Sequence, residues 1–378
     1  MISFEMTEDQ KLLQDTVAAF ALEQIRPIAR EADESGEVPQ VVVDKAWELG
    51  LVSSAIPETE GGFGDSRSAL TGAIILEELG YGDLSVALHV LAPRLLVYPT
   101  IDHGTEEQKK RLLPPFAQTR FRAATAAIVE PSLQFDLSSL ATTATPTAEG
   151  FVLNGRKAFV PLAADSDVLL VYARRTDRAN GDGHGAVAGY RSVDAFLVDR
   201  GTAGLTVGAR EKNMGIKALR SHELTLDAVR VARDARLGGD ADVDFARLMD
   251  RSRIALGALA VGVARAAFDY SRDYAKERKA FGVAIAQKQA IAFMLAEMAI
   301  EIDAARLLVW EAAWKLDRGE DATREAYLAK IYAANMALKV TDNAVQVLGG
   351  HGYVRDHLVE LWLRNARGFS SFEGLAIV

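Results

Sequence analysis

The sequence predicts a mainly helical chain with a β domain inserted in the middle. Apolar residues repeat at helical spacing in the first third, run or alternate in strand-sized lengths from about 121 to 235, and return to helical spacing after Asp240. We therefore divide the chain into residues 1–120, 121–235 and 236–378. With 378 residues, 49% hydrophobic and 25% charged, it is long enough for two or three domains.

Helices are predicted almost throughout the first part. The segment TEDQ, residues 7–10, is a capping box, in which the threonine and glutamine side chains bind each other's free backbone N–H groups at a helix start. Helical apolar faces recur at residues 41–51 and 70–79. Between them, the glycine-rich segment 57–65 is expected to be a loop rather than a helix.

Strands are predicted in the middle part. Glu149-Gly150 and Asn154-Gly155 are tight-turn signals that flank FVLN and RKAFV. Further strand-sized segments are DVLLVYA, VDAFLVD, GLTVGA and HELTLDAVRV. The segment RTDRANGDGHGAVAGYR, residues 175–191, is expected to be a long loop between two of them.

Long helices are predicted in the last part. One apolar face steps by three and four residues through Ile291, Met294, Leu295, Met298, Ile302, Ala305 and Val309. A second runs from Ala326 to Leu348 and ends at Gly349-Gly350, a helix stop. Such lengths favour a helical bundle.

Composition excludes several functional classes. The net charge is −9 with no basic tract, so nucleic acid is not an expected partner. The absence of cysteine excludes disulfides and thiolate chemistry, and the scattered histidines give no metal-ligand spacing. We find no targeting peptide and no apolar run of the roughly 18 residues that a membrane span needs, so we expect a cytoplasmic protein without a membrane partner.

Five motifs carry a family resemblance. In order, they are IPETEGGFGD, NMGIKALRSHELTLDAVRV, YAKERKAFGVAIAQKQAIAFMLAEMA, AVQVLGGHGY and SFEG. Together they resemble the acyl-CoA dehydrogenase family over residues 4 to 375. The resemblance implies an N-terminal helical domain, a middle β barrel or sandwich and a C-terminal four-helix bundle.

The resemblance also implies a chemistry. FAD would lie at the dimer interface of a homotetramer or a related dimer of dimers, against an acyl-CoA substrate. A carboxylate would remove the α proton while the β hydrogen leaves as hydride to flavin N5, and the electrons would pass to an electron-transfer flavoprotein. A role in fatty acid or lipid metabolism follows.

Glu373 stands where the family places its catalytic base. Its neighbours Phe369, Phe372 and Leu375 suit a desolvated carboxylate. On composition alone, a surface glutamate near a frayed terminus would be the commoner case. Some members carry the base at the position of Ser252, which cannot serve. Family members continue beyond this motif with another helix, so either the sequence is truncated or a more open acyl-CoA pocket is expected.

In this family, each FAD is shared between two subunits. The half-site that reaches the neighbour's flavin, here called the crossing half, matches in sequence. The residues that carry it by resemblance are Arg278, Phe281, Gln289, Gln346, Gly349 and Gly350. Arginine suits phosphate because it donates two parallel hydrogen bonds, and paired glycines let backbone N–H groups approach closely. Taken singly, a solvated helix-end arginine or a plain helix stop is the commoner reading.

The half-site for the flavin ring, here called the ring half, departs from the family. Val129 replaces a hydroxyl residue and Gln134-Phe135 a small Gly-Ser pair, while Asp136 matches. Phe159-Val160-Pro161 replaces Trp-Ile-Thr, and Leu375 replaces a threonine. Three lost hydrogen bonds of about 0.5–1.5 kcal/mol each would weaken flavin binding by roughly two decades or more.

Two readings follow. In the first, the chain is a working FAD-dependent dehydrogenase with Glu373 as base and Val129 and Phe159 beside the ring. In the second, it is an accessory, flavin-poor subunit of a heteromeric complex that lends its crossing half to a better-equipped partner. A third, minor reading is a relative that uses the fold for oxygen chemistry or for substrates bound to an acyl carrier.

Overall fold

The computed structural model describes residues 5–178 and 190–378, and its elements follow the predicted order of helices, strands and helices. The first part contains α1 (Glu8–Phe20), α2 (Ala29–Ser35), α3 (Gln40–Glu48), α4 (Ala69–Gly82), α5 (Leu84–Leu91), α6 (Arg94–His103) and α7 (Glu106–Leu112). The middle part contains β1 (Thr125–Ala127), β2 (Thr143–Pro146), β3 (Gly150–Pro161), β4 (Val168–Arg175), β5 (Val193–Asp199), β6 (Leu205–Arg210) and β7 (Ser221–Ala232). The last part contains α8 (Phe245–Glu277), β8 (Lys279–Ala280), β9 (Val283–Ala284), α9 (Gln289–Asp317), α10 (Thr323–Leu348), α11 (Gly350–Tyr353) and α12 (Val359–Ala366).

The predicted capping box opens α1. The backbone N–H of Gln10 donates to Thr7 Oγ1 at 3.2 Å, and the N–H of Thr7 donates to Gln10 Oε1 at 3.0 Å. Two otherwise free donors are thus satisfied at the helix start. The predicted loop over residues 57–65 holds only one short 3₁₀ turn, Glu58–Glu60.

The strands form one mixed sheet in the order β1-β4-β2-β3-β7-β6, with β5 paired to β4. β4 runs parallel to β1 and β2 and antiparallel to β5. The turn predicted at Glu149-Gly150 joins β2 to β3, where Thr147 N donates to Gly150 O at 2.8 Å. Most of the predicted loop over residues 175–191 lies outside the described residues.

The turn predicted at Asn154-Gly155 is wrong. Both residues lie inside β3, which continues through a register shift between Leu153 and Gly155. Gly155 has a φ of 150°, and a Cβ there would lie 2.6 Å from Thr142 Oγ1. Gly155 is therefore part of a β-bulge that packs closely against Thr142. The pair Asn-Gly suits both a turn and such a bulge.

Helix α8 is the centre of the helical parts, because it contacts α4, α9, α10 and α12. Glycines let α4 approach it closely: a Cβ on Gly262 would lie 2.1 Å from Glu77 O, and one on Gly80 would lie 2.7 Å from Leu259 O. This close contact packs the helices of residues 5–120 against the C-terminal helical bundle.

The expectation that no segment is long and apolar enough to span a membrane needs correction. Within the described residues, α8 meets that test by length and composition, and α5 with α6 meets it jointly across a 42° bend. In α8, 78% of the apolar window is buried inside the protein. Its apolarity is accounted for by its place at the centre of the bundle.

One face of α9 is apolar and exposed. Phe293, Ile300 and Leu307 are 59%, 68% and 44% exposed and follow one another at intervals of seven residues, so they share one side of the helix. We call these three residues the α9 stripe.

Candidate functional site

Glu373 lies in the segment after α12, where the backbone brings it beside the end of β1. Phe369 and Phe372 are buried and pack edge to face, with ring centroids 5.8 Å apart. Gly374 then turns the chain with a φ of 65°, and a Cβ there would lie 2.3 Å from Ile128 Cδ1. Only glycine fits this conformation and this close approach.

The carboxylate of Glu373 lies between two cations, which differs from the apolar setting that the sequence predicts. Lys330 on α10 donates from Nζ to Glu373 Oε1 at 3.0 Å, and Arg253 Nε on α8 lies 3.9 Å from Oε2. The Glu373 side chain is 18% exposed and that of Lys330 is 8% exposed. Buried aromatic neighbours flank the residue as predicted, but its charged end contacts lysine and arginine.

One oxygen of this carboxylate is free. Within residues 5–178 and 190–378, Glu373 Oε2 is buried and accepts no hydrogen bond. Arg253 does not reach it, because its Nη2 donates to the Tyr190 hydroxyl at 3.0 Å and its guanidinium lies over the Tyr327 ring at 5.3 Å. A buried carboxylate oxygen without a donor is rare in folded proteins and marks a candidate for proton transfer.

Two further polar side chains on α8, those of Asp250 and Ser252, lie near Arg253 and Glu373. Burial raises the pKa of Asp250 to about 6, although the Thr323 hydroxyl donates to it at 3.0 Å and Arg253 lies near. Ser252 is buried and lines a cavity of about 10 Å³ together with Leu95 and Gly374. The structure thus places Ser252 near Glu373.

The predicted ring half is built around the end of β1 and the bulge of β3. Val129 is buried, and its carbonyl accepts from Ala158 N at 2.8 Å. Phe159 has a φ of 53°, and its backbone N–H donates to Glu211 Oε1 at 3.1 Å. The left-handed conformation of a bulky residue stores strain and keeps Phe159 beside Val129.

A buried ion pair between Lys157 and Glu130 joins β3 to the segment after β1. Lys157 Nζ donates to Glu130 Oε1 and to Ile128 O, both at 3.0 Å, and Glu130 also accepts from the backbone N–H groups of Ala141 and Thr142. Burial alone would raise the pKa of Glu130, but Lys157 and these donors lower it. Burial lowers the pKa of Lys157 to about 8, against the opposing effect of Glu130.

The loop that replaces the family's Gly-Ser-Asp is largely exposed. Asp136 Oδ1 accepts from the N–H and the hydroxyl of Ser138, both at 2.8 Å, so it caps its own loop. Phe135 and Phe159 are both half-buried, but they pack against different apolar clusters.

The crossing half is assembled where α8 ends and α11 begins. Tyr274 on α8 hydrogen-bonds His351 Nδ1 at 2.7 Å, and Tyr270 hydrogen-bonds His357 Nδ1 at 2.7 Å. The two imidazoles stack with centroids 5.5 Å apart. These contacts bring Arg278, four residues after Tyr274, to the same end of the bundle as the glycines that precede His351.

All six predicted residues of the crossing half are exposed: Arg278, Phe281, Gln289, Gln346, Gly349 and Gly350. Phe281 is 95% exposed with a φ of 54° at the tip of the β8–β9 hairpin. In the described part of the chain, a Cβ on Gly349 or Gly350 would meet nothing within 4 Å. An arginine, two amides and open glycine backbones form a surface that fits the polar end of a dinucleotide.

The two half-sites therefore fit FAD unequally. The crossing half offers charged and amide donors with free access. The ring half lacks the family's hydroxyl groups, and the Val129 carbonyl and the Phe159 N–H are already hydrogen-bonded to Ala158 and Glu211.

Three domain descriptions of one family match the chain. They are the N-terminal domain of acyl-CoA dehydrogenase over residues 7–120, the middle domain over 125–229 and the C-terminal domain over 244–376. The chain belongs to the acyl-CoA dehydrogenase family. This confirms the predicted family, its fold and the class of oxidoreductase acting on CH–CH bonds.

Similar proteins cover nearly the whole chain. The caffeyl-CoA reductase-Etf complex subunit CarC of Acetobacterium woodii is 34% identical, over 98% of this chain and 96% of its own length. The structure of butyryl-CoA dehydrogenase from Megasphaera elsdenii is 31% identical, with a TM-score of 0.85 over 98% of this chain and 96% of that one. An FAD complex of PigA is 25% identical, with a TM-score of 0.87 over 98% and 95%.

Sequence reasoning missed Lys330 and Arg253. A signal for Lys330 was present: on α10 it interrupts a buried stripe formed by Ala326, Ala333 and Ala337. A lysine at such a position must find a buried partner or leave the core. The partner itself lies 43 residues further along the chain, where no local pattern points to it.

Proposed function

We propose that this acyl-CoA dehydrogenase family member catalyses α,β-dehydrogenation of an acyl-CoA thioester, with Glu373 as the catalytic base. The observation that carries the proposal is the buried Glu373 Oε2, to which no described residue donates a hydrogen bond. Its partner oxygen is fixed by Lys330, so the carboxylate is oriented while one lone pair stays available for a substrate proton.

The chemistry that these residues would perform is proton transfer. Oε2 takes the proton from the α carbon of the thioester, and the electron pair of that C–H bond becomes the second bond between the α and β carbons. The β hydrogen leaves with its own electron pair, and the product is an enoyl thioester. FAD, when bound, supplies the two-electron acceptor.

Two subunits would share each cofactor. Arg278, Gln346 and the Gly349-Gly350 backbone suit the polar end of the neighbour's FAD, and Val129 and Phe159 would stand at the ring of this chain's own FAD. The solved FAD complex of PigA, which has the same fold, supports FAD as the cofactor. An acyl-carrier-linked thioester is the alternative form of the substrate.

Assembly and location complete the proposal. The exposed α9 stripe and the exposed crossing half support a dimer of dimers in which subunits share flavin sites. The CarC relative is a subunit of a complex with Etf, which supports an electron-transfer flavoprotein as the redox partner. We propose a cytoplasmic protein that acts in fatty acid or lipid metabolism.

A second candidate is an accessory, flavin-poor subunit of a heteromeric acyl-CoA dehydrogenase complex. It is favoured by Val129, which has no hydroxyl, and by the Phe159 N–H, which is already donated to Glu211. Such a chain would keep the crossing half and serve a partner's flavin.

The test is to purify the chain alone, titrate it with FAD and compare it with the Glu373→Gln variant. We expect a yellow protein whose flavin is bleached anaerobically by an acyl-CoA probe such as butyryl-CoA. In Glu373→Gln, the flavin is retained and bleaching is at least about a hundredfold slower. A chain that takes up no FAD alone, yet contributes to a yellow complex with a related subunit, would establish the second candidate instead.

A further inference from the structure

We infer that Lys330 is the positioning residue for Glu373: its buried ammonium holds Oε1, so that Oε2 is presented to substrate. This inference rests on the proposed function, because it assigns a role to the partner of the proposed base. It concerns a contact between the middle of α10 and the segment after α12.

The first support is the geometry of the pair. Lys330 is 7% exposed, and its Nζ lies 3.0 Å from Glu373 Oε1. A buried ammonium is costly unless a carboxylate or several acceptors satisfy it. Glu373 supplies that acceptor, so the contact fixes the orientation of both side chains in the bundle interior.

The second support is the difference between the two carboxylate oxygens. Oε1 is bound, whereas Oε2 is buried without a donor anywhere in residues 5–178 and 190–378. The Nε of Arg253 is 3.9 Å away, which is too far for a hydrogen bond but close enough for its charge to act.

The charged and titratable groups around the pair define what must be controlled. Lys330 faces Glu373 from α10 and Arg253 faces it from α8. Tyr190 hydrogen-bonds Arg253, and Asp250 Oδ1 lies 4.0 Å from Arg253 Nη1. Because burial raises the pKa of Asp250 to about 6, the charge of Asp250 changes with pH near that value. All measurements are therefore made at one fixed pH and repeated in an Asp250→Asn background.

The experiment follows the carboxylate stretching bands of Glu373 in the apoprotein by infrared difference spectroscopy at one fixed pH, with Glu373→Gln as the blank. In Lys330→Gln, these bands should shift, because Oε1 loses its charged donor. Lys330→Arg keeps a charged donor and its bands should stay near those of the wild type. Lys339→Gln is the matched control, since Lys339 lies on the same helix in an exposed pair with Glu301 at 2.9 Å.

A second readout uses the FAD-loaded protein with butyryl-CoA as the probe. In Lys330→Gln, kcat should fall about tenfold or more while KM changes about twofold or less, because the base is no longer held in place, and Lys330→Arg should restore kcat. If Lys330→Gln does not fold, Lys330→Met takes its place in both measurements.

The role of Lys330 and the role of Glu373 can be refuted separately. Unchanged carboxylate bands in a folded Lys330→Gln or Lys330→Met overturn the inference about Lys330, whatever the role of Glu373. Full turnover in Glu373→Gln overturns the proposed base, even if the bands shift as expected.

Discussion

Removing one partner of the buried Glu130–Lys157 pair should destabilise the protein far more than removing an exposed pair in the same strand. Lys157 is fully buried and the Glu130 side chain is 5% exposed, with 3.0 Å between Nζ and Oε1. At this separation and an effective dielectric constant of about 20, the attraction is about 5.5 kcal/mol. Desolvation of both ions offsets much of it, but a single lost partner leaves a buried charge, at a cost of about 3–5 kcal/mol.

The two single variants should differ. Glu130→Gln leaves the ammonium of Lys157 in the core with Ile128 O and one amide oxygen, so we expect the full 3–5 kcal/mol. Lys157→Met leaves a carboxylate that still accepts from two backbone N–H groups, so its cost should be about 1–3 kcal/mol. The double variant should be at least about 1 kcal/mol more stable than Glu130→Gln alone, because no unpaired cation remains.

The assay is urea unfolding followed by circular dichroism, and the chain offers a matched control. Arg156, the preceding residue, pairs with Glu223 at 2.8 Å with both side chains about half exposed. Arg156→Ala should cost no more than about 1 kcal/mol. Two results would contradict this reasoning. One is that Glu130→Gln lowers the free energy of unfolding by no more than Arg156→Ala does. The other is that the double variant lowers it by as much as the two single variants combined.

Three further changes have defined outcomes. Val129→Thr restores a hydroxyl at the ring half and should tighten FAD binding about 2- to 10-fold in a fluorescence titration, whereas Val129→Ala should not. Gly262→Ala places a Cβ 2.1 Å from Glu77 O and should lower the free energy of unfolding by about 3 kcal/mol, measured by urea unfolding. Asp250 has a pKa of about 6 in the folded chain against an ordinary 3.8, so the folded state binds more protons between these values. Stability should therefore fall as the pH rises from about 4 to 6, and Asp250→Asn should flatten this part of a thermal-melt profile.

Local signals predicted most of the fold because they act over a few residues. The Thr7–Gln10 capping box needs only its own helix turn, and the stop at Gly349 needs only a residue with a φ of 58°. The pair Asn154-Gly155 misled because the same residue types serve a hairpin turn and a β-bulge. The bulge forms here because Gly155 packs closely against Thr142, a contact that the local sequence does not show.

The sequence named a candidate base but not the charged groups around it. Register with family motifs points to Glu373, and the two aromatic residues that precede it, Phe369 and Phe372, are buried in the structure. The partners of the carboxylate come from α8 and α10, whose packing brings Arg253 and Lys330 to it from distant positions in the sequence. Such contacts depend on how helices cross, which one sequence does not reveal.

The α9 stripe predicts that the activity of this protein depends on its concentration. Three large exposed apolar side chains on one side of a helix are typical of a surface that another subunit covers. If a second subunit does so, each dissociation event both uncovers this surface and separates the crossing half from the flavin that it would serve. Specific activity at nanomolar protein concentration should then fall together with the fraction of bound flavin. The separated chains should also aggregate and adsorb to surfaces.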